Sequence, residues 1–352
     1  MPRARAVRTP RVPCTFGVHA LGESAPGGRF AYRDAMASLH SPLPSAAARD
    51  TGARRAGAVA WTLLVTLVSA LGTMACWRLF VDTEHGQSVD QAALEGAHIG
   101  QTRLWQVAEP VLDVVSVGFI VTAVLACGVI ALLRRRWSLA VAATVVLGGA
   151  NITTQVLKKL VWDRPEWGHG PDFNTLPSGH TTAAASVAAA VLLVVPPRGR
   201  AWAAVLGAGY AAATGISTLV GQWHRPSDVI AALLVVLAWG ALACLVPAVG
   251  IRESRVAPTA AVPLATTRSA GRTGDRVAVL LLLLVALAAG VTGGLGLIST
   301  WRSADPLADR ASLLTAYGGG ALGIVAVAAL CFAVLTLLRR SAVASGLRDG
   351  PS

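Results

Sequence analysis

The sequence predicts an all-α protein, a multi-pass membrane helical bundle with a six-helix core and a two-helix C-terminal hairpin. Three observations predict it. Hydrophobic residues make up 54% of the 352 and charged residues only 14%, whereas soluble domains carry about a quarter charged. The apolar residues fall in runs about 20 long, the length that crosses a bilayer core as a helix. Charge is confined to the stretches between runs, with arginines at 54–55, 134–136, 198–200, 252–276 and 339–340.

A formal net charge of +12 would suit a nucleic-acid partner if it formed one patch. Here it flanks the ends of apolar runs, as expected of cytoplasmic loops under the positive-inside rule. Membrane lipids, and no nucleic acid, are the expected surroundings.

Residues 1–56 are rich in Arg, Pro, Ala and Gly without usable periodicity. They read as a disordered basic cytoplasmic tail, too scattered in apolar content for a signal peptide, with Met36 an alternative start. Spans are expected at 57–81, 111–133, 138–160, 179–196, 201–221, 227–249, 277–298 and 315–338. They divide into a six-span core, 57–250, a cytoplasmic linker, 251–276, an additional two-span hairpin, 277–340, and a cytoplasmic tail, 341–352. The arginine-rich connections all fall on one side, and "DTEHGQSVDQAALEGAH", "WDRPEWGHGPDFNTLPSGH", "GQWHRPSD" and "STWRSADPLADR" on the other. An even span count places both termini in the cytoplasm of a cell-membrane protein. Cys76, Cys127, Cys244 and Cys331 fall in spans and Cys14 in the tail. Their spacing suits neither a metal site nor a disulfide framework.

Polar residues gather on the outer side at two places. In "NTLPSGHTT", Ser178 can cap a helix beginning at Gly179, whose free N–H groups and dipole suit an anion. His180 then sits in the first turn, placed to donate a proton. In "GQWHRPSD", His224 and Asp228 are four apart and meet on one face if the helix starts at or near Pro226. A carboxylate on one imidazole nitrogen fixes the tautomer and frees the other nitrogen as a nucleophile. Taken alone, each stretch is also an ordinary capped helix start.

Lys158 and Lys159 close the third span and Arg164 follows in the loop. Asn151, Thr153, Thr154 and Gln155 make that span's outer half polar, so it should face the bundle interior. The cations would neutralise a phosphate there, or snorkel to the interface.

Together these elements resemble the type-2 phosphatidic acid phosphatases, membrane lipid phosphatases related to vanadium haloperoxidases. That family shows a Lys followed by Arg-Pro, then Pro-Ser-Gly-His, then Ser-Arg, five residues, His, three residues and Asp. "PSGH" is intact at 177–180, and the last motif runs Ser217, Thr218, five residues, His224, three residues, Asp228. The resemblance covers about 57–250. It implies His224 as a nucleophile forming a phosphohistidine, Asp228 as its orienting carboxylate and His180 as the acid for the leaving group. Lys158 or Lys159, Arg164, Ser178 and Gly179 would hold the phosphoryl oxygens, with no cofactor and no metal.

Two departures stand out. The family has six residues between Lys and Arg-Pro, whereas Lys158 gives five and Lys159 four. Thr218 stands where an arginine is expected, and Arg225 is either its replacement or a headgroup contact. The resemblance implies a membrane phosphatase acting on a lipid phosphate or diphosphate at the extracytoplasmic face. Phosphatidic acid, a polyprenyl diphosphate and phosphatidylglycerol phosphate all fit. The alternatives are a catalytically impaired member, a transporter using the same polar site, and a hydrolase with a metal on His180, His224 and Asp228. Glu166, His169 and Asp172 read as solvated loop polarity, Asp113 as an interior or interfacial contact, and His85 and His98 as outer-loop residues without recognisable partners.

Overall fold

Among the described residues the apolar runs form helices, because their backbone groups can be satisfied only internally in lipid. The computed structural model describes residues 46–114, 122, 125–129, 137–246 and 264–346. In chain order the helices are α1 (Ala46–Phe80), α2 (Glu84–His98), α3 (Gln101–Val114), α4 (Trp137–Val156), α5 (Gly179–Val194), α6 (Arg200–Val220), α7 (Pro226–Ala243), α8 (Leu264–Arg302) and α9 (Arg310–Gly346). Among the described residues all regular structure is helical, so the chain is the all-α membrane bundle the sequence predicts.

Among the described residues six stretches are long and apolar enough to cross a membrane: Arg55–Phe80, Trp137–Val161, Arg200–Val220, Pro226–Leu245, Thr273–Arg302 and Arg310–Ser341. α5 is apolar but shorter. Most of the expected span at 111–133 lies outside the described residues, as do the tail before 46 and the linker between 247 and 263. α1 begins at Ala46, inside the stretch read as tail, and α8 at Leu264, inside the stretch read as linker.

Burial ranks the spans. The apolar window of α7 is 67% buried and that of α1 only 22%, so α7 is the central helix and α1 faces lipid. Around α7 pack α4, α5 and α9, with α6 against α5 and α9. One cluster of apolar side chains, among them Val146, Leu192, Ala211, Leu233, Ile324 and Phe332, fills the interior. α9 thus shares the core of the preceding helices. α8 meets α9 through glycines: a Cβ on Gly296 would stand 3.0 Å from the Gly319 Cα. Such small-residue contacts let helices approach where lipid removes most of the hydrophobic drive.

Chain direction brings the chemistry to one end. α4 and α6 finish there, and α5 and α7 begin there. At the other end a buried ion pair, Arg200 Nη1 to Asp275 Oδ2 at 3.1 Å, ties α6 to α8. Polar residues of α4 tie it to α5 and α7. Asn151 Nδ2 donates to Ser186 Oγ at 3.1 Å, the Thr154 and Thr182 hydroxyls are 2.9 Å apart, and Trp239 Nε1 donates to Thr153 Oγ1 at 2.9 Å.

Candidate active site

Pro226 opens α7 because a proline at the first helical position lacks only an N–H that would be unpaired anyway. Asp228 therefore lies in the first turn. Its Oδ2 accepts from the Arg225 backbone N–H at 3.1 Å and lies 3.1 Å from His224 Nδ1. His224 is only 6% exposed, and its Nδ1 contact leaves Nε2 as the ring nitrogen with lone-pair chemistry available. The turn before it is fixed by Gln222, left-handed at φ 61°. The Gln222 side-chain amide donates to the Leu94 and Leu219 carbonyls at 2.7 and 3.1 Å. These bonds hold a conformation that a non-glycine residue adopts at a cost.

Thr218 lies under this turn. Its carbonyl accepts from Trp223 N at 3.0 Å and His224 N at 3.3 Å. Its buried hydroxyl donates to the Gly215 carbonyl at 2.7 Å. No donor is left at position 218 for a ligand.

Ser178 is the N-cap of α5, its Oγ accepting from Thr181 N at 3.3 Å. Its own N–H donates to the Asp228 carbonyl at 2.9 Å, so the mouths of α5 and α7 are locked together. Gly179 follows with only a Gln155 amide nitrogen near the place of a Cβ, at 3.7 Å, leaving the backbone approachable. His180 is exposed. Its ring centroid lies 6.2 Å from that of His224 and 5.2 Å from that of Trp223.

Beyond α4 the chain makes a π turn, Leu157–Val161, which widens the last turn and changes its register. Lys158 becomes half-buried, within electrostatic range of Asp228 and His180, whereas Lys159 is exposed. Asn174 staples the following loop to this turn, donating to the Trp162 and Leu176 carbonyls at 3.1 and 2.9 Å. Trp77 of α1 stacks on Trp162 with centroids 5.7 Å apart.

Arg164 is 7% exposed. Its Nη2 donates to the His169 carbonyl at 2.7 Å, while Nε and Nη1 are buried without a partner. Burial lowers its pKa from the ordinary arginine value, and Arg225 pushes in the same direction, while Asp228 and Asp90 oppose. Orphaned guanidinium donors in a buried position cost free energy unless a ligand meets them.

The sequence reading missed α2. It is a polar helix capped by Thr83, whose hydroxyl accepts from Gly86 N at 3.1 Å. Gln87 Nε2 donates to the Val81 and Pro165 carbonyls. Asp90 Oδ1 accepts from Ser227 N at 3.2 Å and Oδ2 from Ser227 Oγ, a second carboxylate on the first turn of α7. Gln91 Oε1 accepts from Arg225 Nε and Nη2 at 3.2 and 2.7 Å. The recurrence of Gln87, Asp90 and Gln91 at three and four residues was the available signal.

Glu166 and Asp172 are exposed, and His169 contributes only its carbonyl to Arg164. His98 is exposed. His85, read as lacking a partner, has one: its Nε2 lies 2.8 Å from the Trp301 carbonyl and its ring packs edge-on against Trp301. The side chain of Asp113 lies outside the described residues.

The geometry therefore offers a buried imidazole with an oriented lone pair, a second imidazole beside it, and cationic and backbone donors around both. Residues 139–249 match the family model described as the PAP2 superfamily. No curated protein and no solved structure matches the chain.

Proposed function

We propose, from the match of residues 139–249 to the PAP2 superfamily and the phosphatase-type activity on phosphate esters that it supports, that this protein hydrolyses a lipid phosphate or diphosphate through a phosphohistidine. The observation that carries the mechanism is the His224–Asp228 contact of 3.1 Å at the mouth of α7, beside His180 and the unpartnered donors of Arg164.

In the first step His224 Nε2 attacks phosphorus and the bond from phosphorus to the leaving oxygen breaks. The electron pair goes to that oxygen, which takes a proton from His180. Asp228 stabilises the charge that develops on the His224 ring and keeps Nδ1–H toward itself. Arg164, Lys158, the Gly179 N–H and the Ser178-capped end of α5 stabilise the phosphoryl oxygens. In the second step His180 takes a proton from water, the oxygen attacks phosphorus, and inorganic phosphate leaves with His224 restored.

A site at the ends of spanning helices receives a headgroup while its hydrocarbon chains stay in lipid. That placement favours a lipid substrate, with the site at the outer face of the cell membrane and both termini inside. No step needs a metal.

The test is phosphate release by the purified protein in detergent from a panel holding phosphatidic acid, a polyprenyl diphosphate and phosphatidylglycerol phosphate. Release from at least one lipid, unchanged by EDTA and abolished by His224→Ala, is expected. Turnover surviving His224→Ala removes the nucleophile. Loss with EDTA that a divalent ion restores replaces this mechanism with a metal-dependent one.

A further inference from the structure

Two guanidinium groups are buried at the site end, and the mechanism uses only one. Arg225 is 2% exposed and Arg164 is 7% exposed. They lie within electrostatic range of each other, an arrangement that is unfavourable unless opposite charge sits between or beside them. Asp228 and Asp90 lie within electrostatic range of both, but neither accepts a hydrogen bond from a guanidinium head. Asp228 is bound to His224 Nδ1 and the Arg225 backbone, and Asp90 to Ser227.

The chain is shaped around the Arg225 head. Gly170 has φ +90°, and a Cβ there would stand 1.8 Å from Arg225 Nη2. Glycine is thus needed both for backbone conformation and for room. The preceding residue, His169, gives its carbonyl to Arg164 Nη2, so a single turn of the loop touches both guanidinium heads. On the other side Gln91 Oε1 receives Nε and Nη2 of Arg225, which sets the plane of the fork. Residue 225 is the N-cap of α7, next in sequence to His224. The Thr218 carbonyl receives the His224 N–H at 3.3 Å, so position 218 underlies the same turn with no donor free.

We propose that Arg225, aimed by Gln91 of α2, is a second arginine for the phosphoryl oxygens, clamping them together with Arg164. This rests on the phosphatase reading above. Arg225 is the binding residue, and Gln91 is a positioning residue that acts through it.

The experiment uses the full-length protein in detergent, with orthovanadate as the phosphoryl probe. Its inhibition constant and kcat/KM are measured for wild type, Arg225→Ala, Arg225→Lys, Gln91→Leu and the double variant Arg225→Ala/Gln91→Leu. Gel filtration checks that each is monodisperse. Loss of a charged donor should weaken vanadate and lower kcat/KM about tenfold to a hundredfold in Arg225→Ala, with Arg225→Lys between it and wild type. Gln91→Leu should be harmful alone and add nothing in the Arg225→Ala background, a non-additivity that a merely structural role does not produce.

Vanadate inhibition and kcat/KM within about twofold of wild type in monodisperse Arg225→Ala would remove Arg225 from the site. If that variant does not fold, unchanged vanadate affinity in Arg225→Lys overturns the clamp. A Gln91→Leu effect of equal size in both backgrounds overturns the positioning role. A wild-type protein that neither releases phosphate nor binds vanadate sinks the phosphatase reading itself, and the clamp with it.

Discussion

His180 and His224 are held differently, and each should fail in its own way. His224 is buried and tied through Nδ1 to Asp228, an arrangement that suits the proposed nucleophile because it keeps one lone pair aimed. His180 is exposed and touches ring neighbours only, which suits a proton donor at the mouth. Protonation matters when the departing oxygen is a poor leaving group, as in an alkyl phosphate, and little when it is p-nitrophenolate. We expect His180→Ala to slow lipid monophosphate hydrolysis by about 10²–10⁴-fold and p-nitrophenyl phosphate far less. His224→Ala should abolish both. Equal slowing of both substrates by His180→Ala would show that it does not donate the proton. At this scale the geometry of the candidate site was largely legible in the sequence, because Ser-Gly-His and His-x3-Asp are each closed within one helical turn. It left Lys158 and Lys159 unresolved, because the choice depends on the π turn at Leu157–Val161, and a register change of that kind has no sequence marker.

Helix α2 shows what an element adds that its own sequence does not announce. The spanning helices are legible from apolar length, whereas α2 is short and polar and its role depends on residues more than 130 positions away. Asp90 is the buried carboxylate it brings to the start of α7. Burial pushes the Asp90 carboxyl up to about 7, and the charge of Asp228 acts in the same direction, while the Ser227 bonds and Arg225 oppose. It faces Cys76 from α1, Arg164 from the loop, and Arg225 and Asp228 from α7. Because the folded value lies above the unfolded one, the folded state holds the proton more tightly. The stability this confers is complete below about pH 4 and is lost as pH rises through about 7. The slope is on the order of 1 kcal/mol per pH unit in that window. Asp90→Asn keeps an acceptor for the Ser227 N–H and removes the titration. Thermal unfolding between pH 5 and pH 8 should show the wild type losing ground relative to the variant. Parallel Tm curves for the two proteins would mean that Asp90 does not titrate there.

Across the whole molecule, the C-terminal pair of helices packs against the candidate site although it carries none of the proposed catalytic residues. From composition 277–340 is an appended hairpin. Small residues were visible in it, but which face they occupy is set by partners elsewhere in the chain. α9 packs on α2, α6 and α7. A Cβ on Gly96 of α2 would lie 2.1 Å from the Leu313 carbonyl oxygen, and one on Gly320 of α9 would lie 2.5 Å from Pro226 Cγ. Pro226 is the first residue of α7, between His224 and Asp228. The wall of α9 thus fixes where that first turn stands, and interiors packed this closely transmit small displacements. Gly320→Ala must move either α9 or the start of α7. Gly318→Ala is the matched control, because a Cβ there meets nothing within 4 Å. Displacing an oriented reactive group by a fraction of an ångström to 1 Å costs up to about 10²-fold in rate. We therefore expect kcat/KM to fall on the order of tenfold in Gly320→Ala while Gly318→Ala stays near wild type, with both proteins monodisperse. Equal activity in the two variants would mean that the hairpin stands against α7 without setting the position of its first turn.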